Sequence, residues 1–96
     1  MFYAYMLRMA DGSLYTGYTN DIEKRLAAHN SGTASKYTRV RLPAALVYLE
    51  ACSCKSEALR RERALKGLRK PQKEALVRGF EAGAPPASAS EVSTTR

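Results

Sequence analysis

The sequence predicts an α+β fold, in which helices flank a small sheet of three strands, and two observations support this prediction. First, an aromatic and apolar segment over 2–9 is followed by Asp11 and Gly12, a strong hairpin signal, and then by a second strand-like segment over 14–19. Second, a third strand-like segment over 46–51 lies among helical segments. Three strands are enough for a stable sheet when helices cover them, so we expect a sandwich with an antiparallel first hairpin.

Two registers are possible for this hairpin. A two-residue loop of Asp11 and Gly12 would place Tyr5 and Tyr15 on opposite faces of the sheet. A three-residue loop with Gly12 in the left-handed region would instead pair Tyr5 with Gly17 and make Tyr15 a diagonal neighbour on the same face. We favour the second register, because it explains a glycine inside a strand as space beside a large ring.

A first helix is predicted directly after the second strand. Asn20 is a suitable N-cap, Glu23 would complete a capping box, and the helix would run to about Asn30. The spacing places Arg25 and His29 at the edge of its buried stripe. The polar, basic segment over 33–42 is then either a loop or a short helix.

Two further helices and a tail complete the chain. Ser53 would cap a helix over 55–68, and Pro71 suits the first turn of a helix that reaches about Arg78. The composition then changes to Ala, Pro, Ser and Thr. We therefore predict one domain over 1–80 and a disordered tail over 81–96.

The charge of the chain indicates a polyanionic partner. The net charge is +7, with sixteen Lys and Arg against nine acids, and residues 1–80 carry +8 because the last sixteen residues contain two acids and one Arg. A small domain this basic favours a nucleic acid as partner, and the alternative is a general bias towards solubility.

The two cysteines are best explained as reduced thiols. Cys52 and Cys54 are too close in sequence for good disulfide geometry in a strand, and with a single histidine they make a weak zinc site. Reduced thiols fit a cytoplasmic protein. No segment is long and apolar enough to span a membrane, and no secretory signal is apparent.

Glu62 is the most informative single residue. It lies between Ala58 and Leu65 on the apolar stripe of the predicted second long helix. A carboxylate at such a position is costly unless it is paired or bound to a metal. Both explanations stay open: an ion pair with Arg25 or another base, or a ligand for Mg²⁺, which one carboxylate can hold together with water and substrate phosphate.

The other candidate residues have a structural and a chemical interpretation each. Strand tyrosines such as Tyr5 and Tyr15 usually pack, but a tyrosine can act as a base when its pKa is lowered. His29 is either structural or catalytic, and Arg25 either pairs with Glu62 or stabilises charge on a phosphate.

Basic residues form two candidate nucleic-acid contacts. The first group lies in the segment 33–42, where its basic side chains could bind the phosphate backbone of a nucleic acid and its tyrosine could stack on a base. The second group lies in or near the two C-terminal helices. The first group is Lys36, Tyr37, Arg39 and Arg41, and the second is Lys66 and Lys70, with Lys73 beside them as an alternative contact.

The motifs resemble those of the GIY-YIG endonuclease superfamily, and within it the small stand-alone bacterial YhbQ-like proteins. Four elements stand in the family's order and together cover roughly residues 2–78. They are the two triplets at 3–5 and 15–17, the Arg-bearing helix at 21–29, the acidic segment at 59–62 and the C-terminal segment at 66–76.

The resemblance implies a three-stranded antiparallel sheet and hydrolysis of a DNA phosphodiester by water with one Mg²⁺ or Mn²⁺ ion. Tyr5 and Tyr15 would orient or deprotonate the water, and Arg25 would hold the phosphate. His29 would assist proton transfer, and Glu62 would bind the metal. Branched and single-stranded DNA are candidate substrates, and a non-catalytic nucleic-acid-binding module is the alternative.

The chain departs from the family pattern at three places. Tyr3 replaces the glycine of the first triplet, and Thr16 replaces the usual isoleucine of the second. Many members also carry an asparagine after the metal-binding glutamate, whereas this chain has none beyond Asn30.

Overall fold

The structure is a computed structural model that describes residues 1–83, and within them three strands and four helices form the predicted α+β arrangement. The strand order is β2-β1-β3, and both pairs are antiparallel, so the expected three-stranded sheet is confirmed. The elements in chain order are β1 (Phe2–Arg8), β2 (Leu14–Thr19), α1 (Ile22–Asn30), α2 (Lys36–Arg39), β3 (Ala45–Cys52), α3 (Lys55–Lys66) and α4 (Lys70–Glu81).

The first hairpin adopts the favoured register. The Met9 N–H donates to the Ser13 carbonyl at 2.9 Å, and Gly12 has a φ of 86°, which only glycine adopts at little cost. Tyr5 lies opposite Gly17, as predicted. A Cβ on Gly17 would stand 2.6 Å from the Tyr5 hydroxyl oxygen, so the glycine provides the space that the ring occupies.

The N-cap of α1 is Asp21, so the predicted capping box of Asn20 and Glu23 is wrong. The Asp21 backbone is extended, and its side chain accepts a hydrogen bond from the Lys24 N–H at 3.1 Å. The reason is that β2 continues to Thr19, whose hydroxyl accepts the Asp21 N–H at 3.1 Å and fixes the turn one residue later than expected.

The N-cap position of α3 is also one residue later than predicted. It is occupied by Cys54, which makes no side-chain cap. Ser53 instead donates its backbone N–H and its hydroxyl to the Glu57 carboxylate, at 2.7 and 3.0 Å. The helix therefore begins where predicted, at Lys55. Ser53 does not cap it, because its side chain binds the Glu57 carboxylate in the first turn.

The basic segment contains the short helix α2, with Ser35 as its N-cap. At the other end of the chain, α4 includes Glu81, where the tail was predicted to begin, so the folded part extends further. Residues 84–96, which make up most of the predicted tail, lie outside the described residues.

The sheet separates two apolar clusters. On one face, Tyr5 and Leu7 pack with Leu26 of α1. On the other face, Met6 packs with Leu65 of α3, and α4 adds Val77, Leu76 and Phe80. Helices thus cover both faces, while the outer edge of β2 is not paired with any strand of residues 1–83.

Two smaller predictions concern the cysteines and the membrane. Both Cys52, which is buried, and Cys54, which is exposed, are free thiols. No helix within residues 1–83 has the length and apolar character needed to cross a bilayer.

Candidate active site

A cavity of about 570 Å³ beside β2 brings together residues from β1, β2, α1 and α3. Four of the five residues expected to act on a phosphodiester line it, namely Tyr5, Tyr15, Arg25 and Glu62. The first and the last of them, Tyr5 and Glu62, are more than fifty residues apart in sequence, so the fold rather than a local motif brings them together. The other residues of this first cavity are Phe2, Gly17, Tyr18, Thr19, Asn20 and Lys55.

His29, the fifth expected residue, lies behind Tyr5 rather than on the cavity wall. It is 1% exposed, and its Nε2 is 2.9 Å from the Tyr5 hydroxyl oxygen. Its Nδ1 is 2.9 Å from the hydroxyl of Thr38, which donates its own proton to the Ser35 carbonyl at 3.3 Å. Because that hydroxyl has only one proton, we assign the ring proton to Nδ1, so that Nε2 accepts from Tyr5.

Burial keeps both members of the Tyr5–His29 pair uncharged. It raises the pKa of Tyr5, and the neighbouring Tyr15 raises it further, although Arg25 opposes the shift. Burial also lowers the pKa of His29, and Arg25 adds to this effect. Tyr5 is therefore a poor base by itself, but a proton that enters its hydroxyl can leave through the neutral imidazole.

Tyr15 connects this pair to α2 through an aromatic cluster. Its ring centroid is 5.0 Å from that of His29, 6.5 Å from that of Tyr5 and 6.0 Å from that of Tyr37. The contact with Tyr37 is stacked, and that with His29 is edge-on. Such geometries stabilise aromatic pairs, so Tyr15 is held in a defined orientation at the cavity.

Glu62 lies on the inner side of α3, as its spacing predicts. Its side chain is 18% exposed, between the fully buried Ala58 and Leu65. Its ion-pair partner is Lys66, at 3.2 Å, rather than Arg25. Because Lys66 is 57% exposed, this pair lies near solvent and contributes little to stability.

Within residues 1–83, no three His, Cys, Asp or Glu side chains cluster as a ready-made metal site. Glu62 is the one carboxylate of the first cavity. A single carboxylate beside open space fits a hard cation that keeps several waters and shares a substrate phosphate. It does not fit a structural zinc ion, which requires four protein ligands.

The six residues expected to contact nucleic acid are not brought together in one place. The Arg41 guanidinium lies 3.8 Å from the centre of the Tyr37 ring and pairs with Asp11 at 3.2 Å, so both side chains already have partners. The Lys70 ammonium donates a hydrogen bond to the Gly12 carbonyl at 3.1 Å and so connects α4 to the hairpin turn. These three residues have structural contacts that the sequence did not predict.

The remaining three residues divide between two surfaces. Lys36 and Arg39 are exposed on α2. Lys66 lines a second, smaller cavity, to which Tyr37 and Lys73 also contribute.

Two polar residues of the first cavity were not predicted from the sequence. Asn20 was predicted to cap α1, but Asp21 has that role, and Asn20 lines the cavity instead. Lys55, the first residue of α3, also lines it. The sequence did contain a signal for Asn20, because this residue comes directly after β2, the strand that carries Tyr15. A residue at the end of that strand is expected to lie near the same cavity.

Comparisons with known proteins agree with this geometry. The family model described as the GIY-YIG catalytic domain matches residues 1–75. A UPF0213 protein of Halobacterium salinarum is 49% identical over 76 residues, which are 79% of this chain and 99% of that protein. A UPF0213 protein of Streptococcus pneumoniae is 51% identical over 75 residues, which are 78% of this chain and 76% of that protein.

Solved structures give the same relationship. The solution NMR structure of a UPF0213 protein from Bacillus halodurans matches with a TM-score of 0.54 and 41% identity. The match covers 98% of this chain and all of the other chain.

Proposed function

Because the chain belongs to the GIY-YIG family, a nuclease superfamily, we propose that it is a divalent-metal-dependent endonuclease that hydrolyses DNA phosphodiester bonds. One observation carries the proposal: the first cavity places two tyrosine hydroxyls, a guanidinium and a single carboxylate around one space. A buried neutral histidine stands behind one of the tyrosines. These are the groups that phosphodiester hydrolysis needs, namely a proton acceptor for water, a cation for the phosphate and an oxygen ligand for a metal.

The proton path is assigned to Tyr5 and His29. An attacking water would give its proton to the Tyr5 oxygen while the Tyr5 hydroxyl proton passes to Nε2 of His29. Since burial raises the pKa of Tyr5, this transfer avoids a free tyrosinate. Tyr15, fixed by its stacking contacts, would orient the water from the other side.

The phosphate contacts are assigned to Arg25 and Asn20. Arg25 lies on the cavity wall at α1, where its guanidinium would neutralise charge on the phosphate oxygens. The Asn20 amide lines the same cavity and can donate to the same phosphate. An amide in this cavity supplies the chemistry of the family's C-terminal asparagine, which the chain lacks.

Glu62 would hold Mg²⁺ or Mn²⁺, with water and the phosphate as further ligands. When bound, such an ion adds positive charge beside the phosphate and lowers the pKa of a coordinated water. To hold the ion, Glu62 would have to give up its ion pair with Lys66. This exchange is easy, because an exposed pair of this kind is worth about 0.3–0.5 kcal/mol.

The test is Glu62→Gln, with Glu23→Gln on α1 as the control for loss of one negative charge. We expect Glu62→Gln to abolish cleavage and the rise in melting temperature on addition of Mn²⁺, because that rise reports binding to the folded state. The metal-free melting temperature should change little, since only the Lys66 pair is lost. The control should keep both properties.

An unchanged response to Mn²⁺ in Glu62→Gln would contradict the metal assignment. A non-catalytic nucleic-acid-binding module is the second candidate, favoured by the pairing of Glu62 with Lys66. To separate the two, the protein is incubated with nicked, flapped and single-stranded DNA, with Mg²⁺, Mn²⁺ or chelator. Binding without metal-dependent cleavage of any substrate would favour the second candidate.

A further inference from the structure

A second cavity of about 370 Å³ adjoins the first and shares Tyr15 with it. Its lining residues come from β2, from α2 on one face of the sheet, and from α3 and α4 on the other face. The cavity therefore lies beside the outer edge of β2. Its lining residues are Leu14, Tyr15, Thr16, Tyr37, Lys66 and Lys73. The two cavities therefore follow the same strand edge, one on each side of Tyr15.

The backbone of β2 points donors towards this edge. The Met9–Ser13 hydrogen bond fixes the alternation of the ladder, so that Tyr15 and Gly17 bond to β1. Thr16, between them, directs its N–H away from β1. Because β2 is the last strand of the sheet on this side, no strand within residues 1–83 uses that N–H.

The Thr16 side chain gives an independent indication of a ligand. Thr16 is 5% exposed, and its Oγ1 is the one buried side-chain polar atom of residues 1–83 that meets no protein hydrogen-bond partner. An unpartnered buried hydroxyl costs about 1–3 kcal/mol, which a valine of the same shape would avoid. Oγ1 itself is fully buried, so we expect a ligand in the cavity to become its partner after a rotation of the Thr16 side chain.

The charges around Thr16 define the chemistry of that ligand. Lys66 and Lys73 contribute two ammonium groups, and Lys73 has no ion-pair partner in the described part of the chain. No carboxylate of residues 1–83 lines this cavity. Two ammonium groups, a hydroxyl and a backbone N–H form a set of donors that matches the oxygens of a phosphate.

We propose that the second cavity binds the phosphodiester next to the one held in the first cavity. The inference rests on the proposed function of the first cavity. The Cα of Lys66 follows that of Glu62 by one helical turn, a rise of about 6 Å, so a Lys66 side chain that leaves its ion pair with Glu62 can contact a phosphate one step further along a strand. The substrate is therefore a strand that continues past the cleaved bond, with Tyr15 between the two phosphates, and an internal bond is the preferred target.

The test measures binding in chelator, so that it does not depend on cleavage. A short labelled DNA strand is prepared with a neutral methylphosphonate at each position in turn, and its affinity is measured by fluorescence anisotropy. The variants are Thr16→Val and Lys73→Met for the second cavity and Arg25→Met for the first. Lys24→Met, which removes an exposed cation of α1 outside both cavities, is the matched control.

We expect Lys73→Met to weaken binding about tenfold and Thr16→Val about threefold. In the wild type, a methylphosphonate at a contacted position should weaken binding. In Lys73→Met and Thr16→Val this effect should disappear at one position of the strand, and in Arg25→Met it should disappear at the adjacent position. Thr16→Val should also melt at a higher temperature than the wild type, because an unpartnered hydroxyl is removed. Lys24→Met should keep the wild-type pattern at every position.

Two results would overturn the proposal. In the first, Thr16→Val and Lys73→Met retain the wild-type sensitivity at every position. In the second, they lose it at the position that Arg25→Met reports, which would mean a single phosphate site. Absence of metal-dependent cleavage with the expected pattern intact would count against the proposed catalysis and leave the phosphate subsite standing.

Discussion

The contact between Gly17 and Tyr5 gives the sharpest prediction for the fold of the site. In Gly17→Ala, the new Cβ would stand 2.6 Å from the Tyr5 hydroxyl oxygen and 2.7 Å from Cζ. Carbon contacts are normally about 3.5–4.0 Å, so the ring must move by about 1 Å. The ring is 1% exposed and its hydroxyl is held by His29, so a shift of this size would break that hydrogen bond.

The expected cost follows from these contacts. Overpacking costs about 1–3 kcal/mol, and the lost hydrogen bond about 1 kcal/mol. Replacing a strand glycine by alanine returns about 0.5–1 kcal/mol. We therefore expect Gly17→Ala to lower the free energy of unfolding by about 1–3.5 kcal/mol and cleavage by about a hundredfold, since the tyrosine is displaced.

A double-mutant cycle isolates the contact. Tyr5→Leu lacks the outer ring atoms that the new Cβ would meet, so Gly17→Ala in that background should be neutral or slightly stabilising. The coupling between the two sites should be about 2–4 kcal/mol, measured from urea unfolding followed by circular dichroism. Gly67→Ala is the control, because its Cβ would have 3.5 Å to the nearest atom. An equal cost of Gly17→Ala in both backgrounds would refute the packing explanation.

Two further predictions concern pH and metal binding. Burial lowers the pKa of His29, so below about pH 6.5 the unfolded chain binds a proton at this residue more readily than the folded chain does. The free energy of unfolding of the wild type should therefore fall as the pH is lowered below about 6.5. The measurement is the midpoint of urea unfolding between pH 7.5 and 5, and in His29→Gln this midpoint should depend less on pH than in the wild type. An equal pH dependence in the two proteins would mean that a group other than His29 titrates. Lys66→Met removes the cation that competes for Glu62, so Mn²⁺ should bind about twofold more tightly, as judged by the rise in melting temperature at a fixed metal concentration. A weaker Mn²⁺ response would show that Lys66 supports the metal site rather than competing with it.

The sequence predicted best those features that short-range geometry determines. The register of the first hairpin followed from the turn at Gly12 and from the need to explain Gly17, and both conditions involve residues that are close in sequence. The inward position of Glu62 followed from helical periodicity alone. Each of these inferences depends on one element or one tight turn, so no distant packing could change it.

The helix caps show where local signals become ambiguous. Asn20 and Asp21 are both good N-caps, and the choice was made by the end of the preceding strand, where Thr19 binds the Asp21 N–H. Ser53 has the right residue type for a cap, but a hydrogen bond to Glu57 holds it one position outside the helix. A shift of one residue in each case changes which side chain is free for the site.

The partners of the charged residues were outside the reach of sequence analysis. The sequence offered Arg25 as the partner of Glu62, whereas the structure pairs Glu62 with Lys66. It also grouped Arg41 with the DNA contacts, although Asp11 and the Tyr37 ring already engage its guanidinium. Such pairings depend on which long side chains meet after the helices pack, and spacing along the chain does not determine this.

Lys66 joins the two cavities, because its pair with Glu62 belongs to the first and its side chain lines the second. The ammonium group has three N–H donors, but a phosphate that draws it towards the second cavity would weaken its ion pair with Glu62. Any cation that replaces it on Glu62 frees it for the strand, and a strand that draws it away leaves the carboxylate open to a cation. By linkage, metal and strand should therefore each increase the affinity of the other by the same factor. A protein with this arrangement assembles its charged site fully only when the nucleic acid is present.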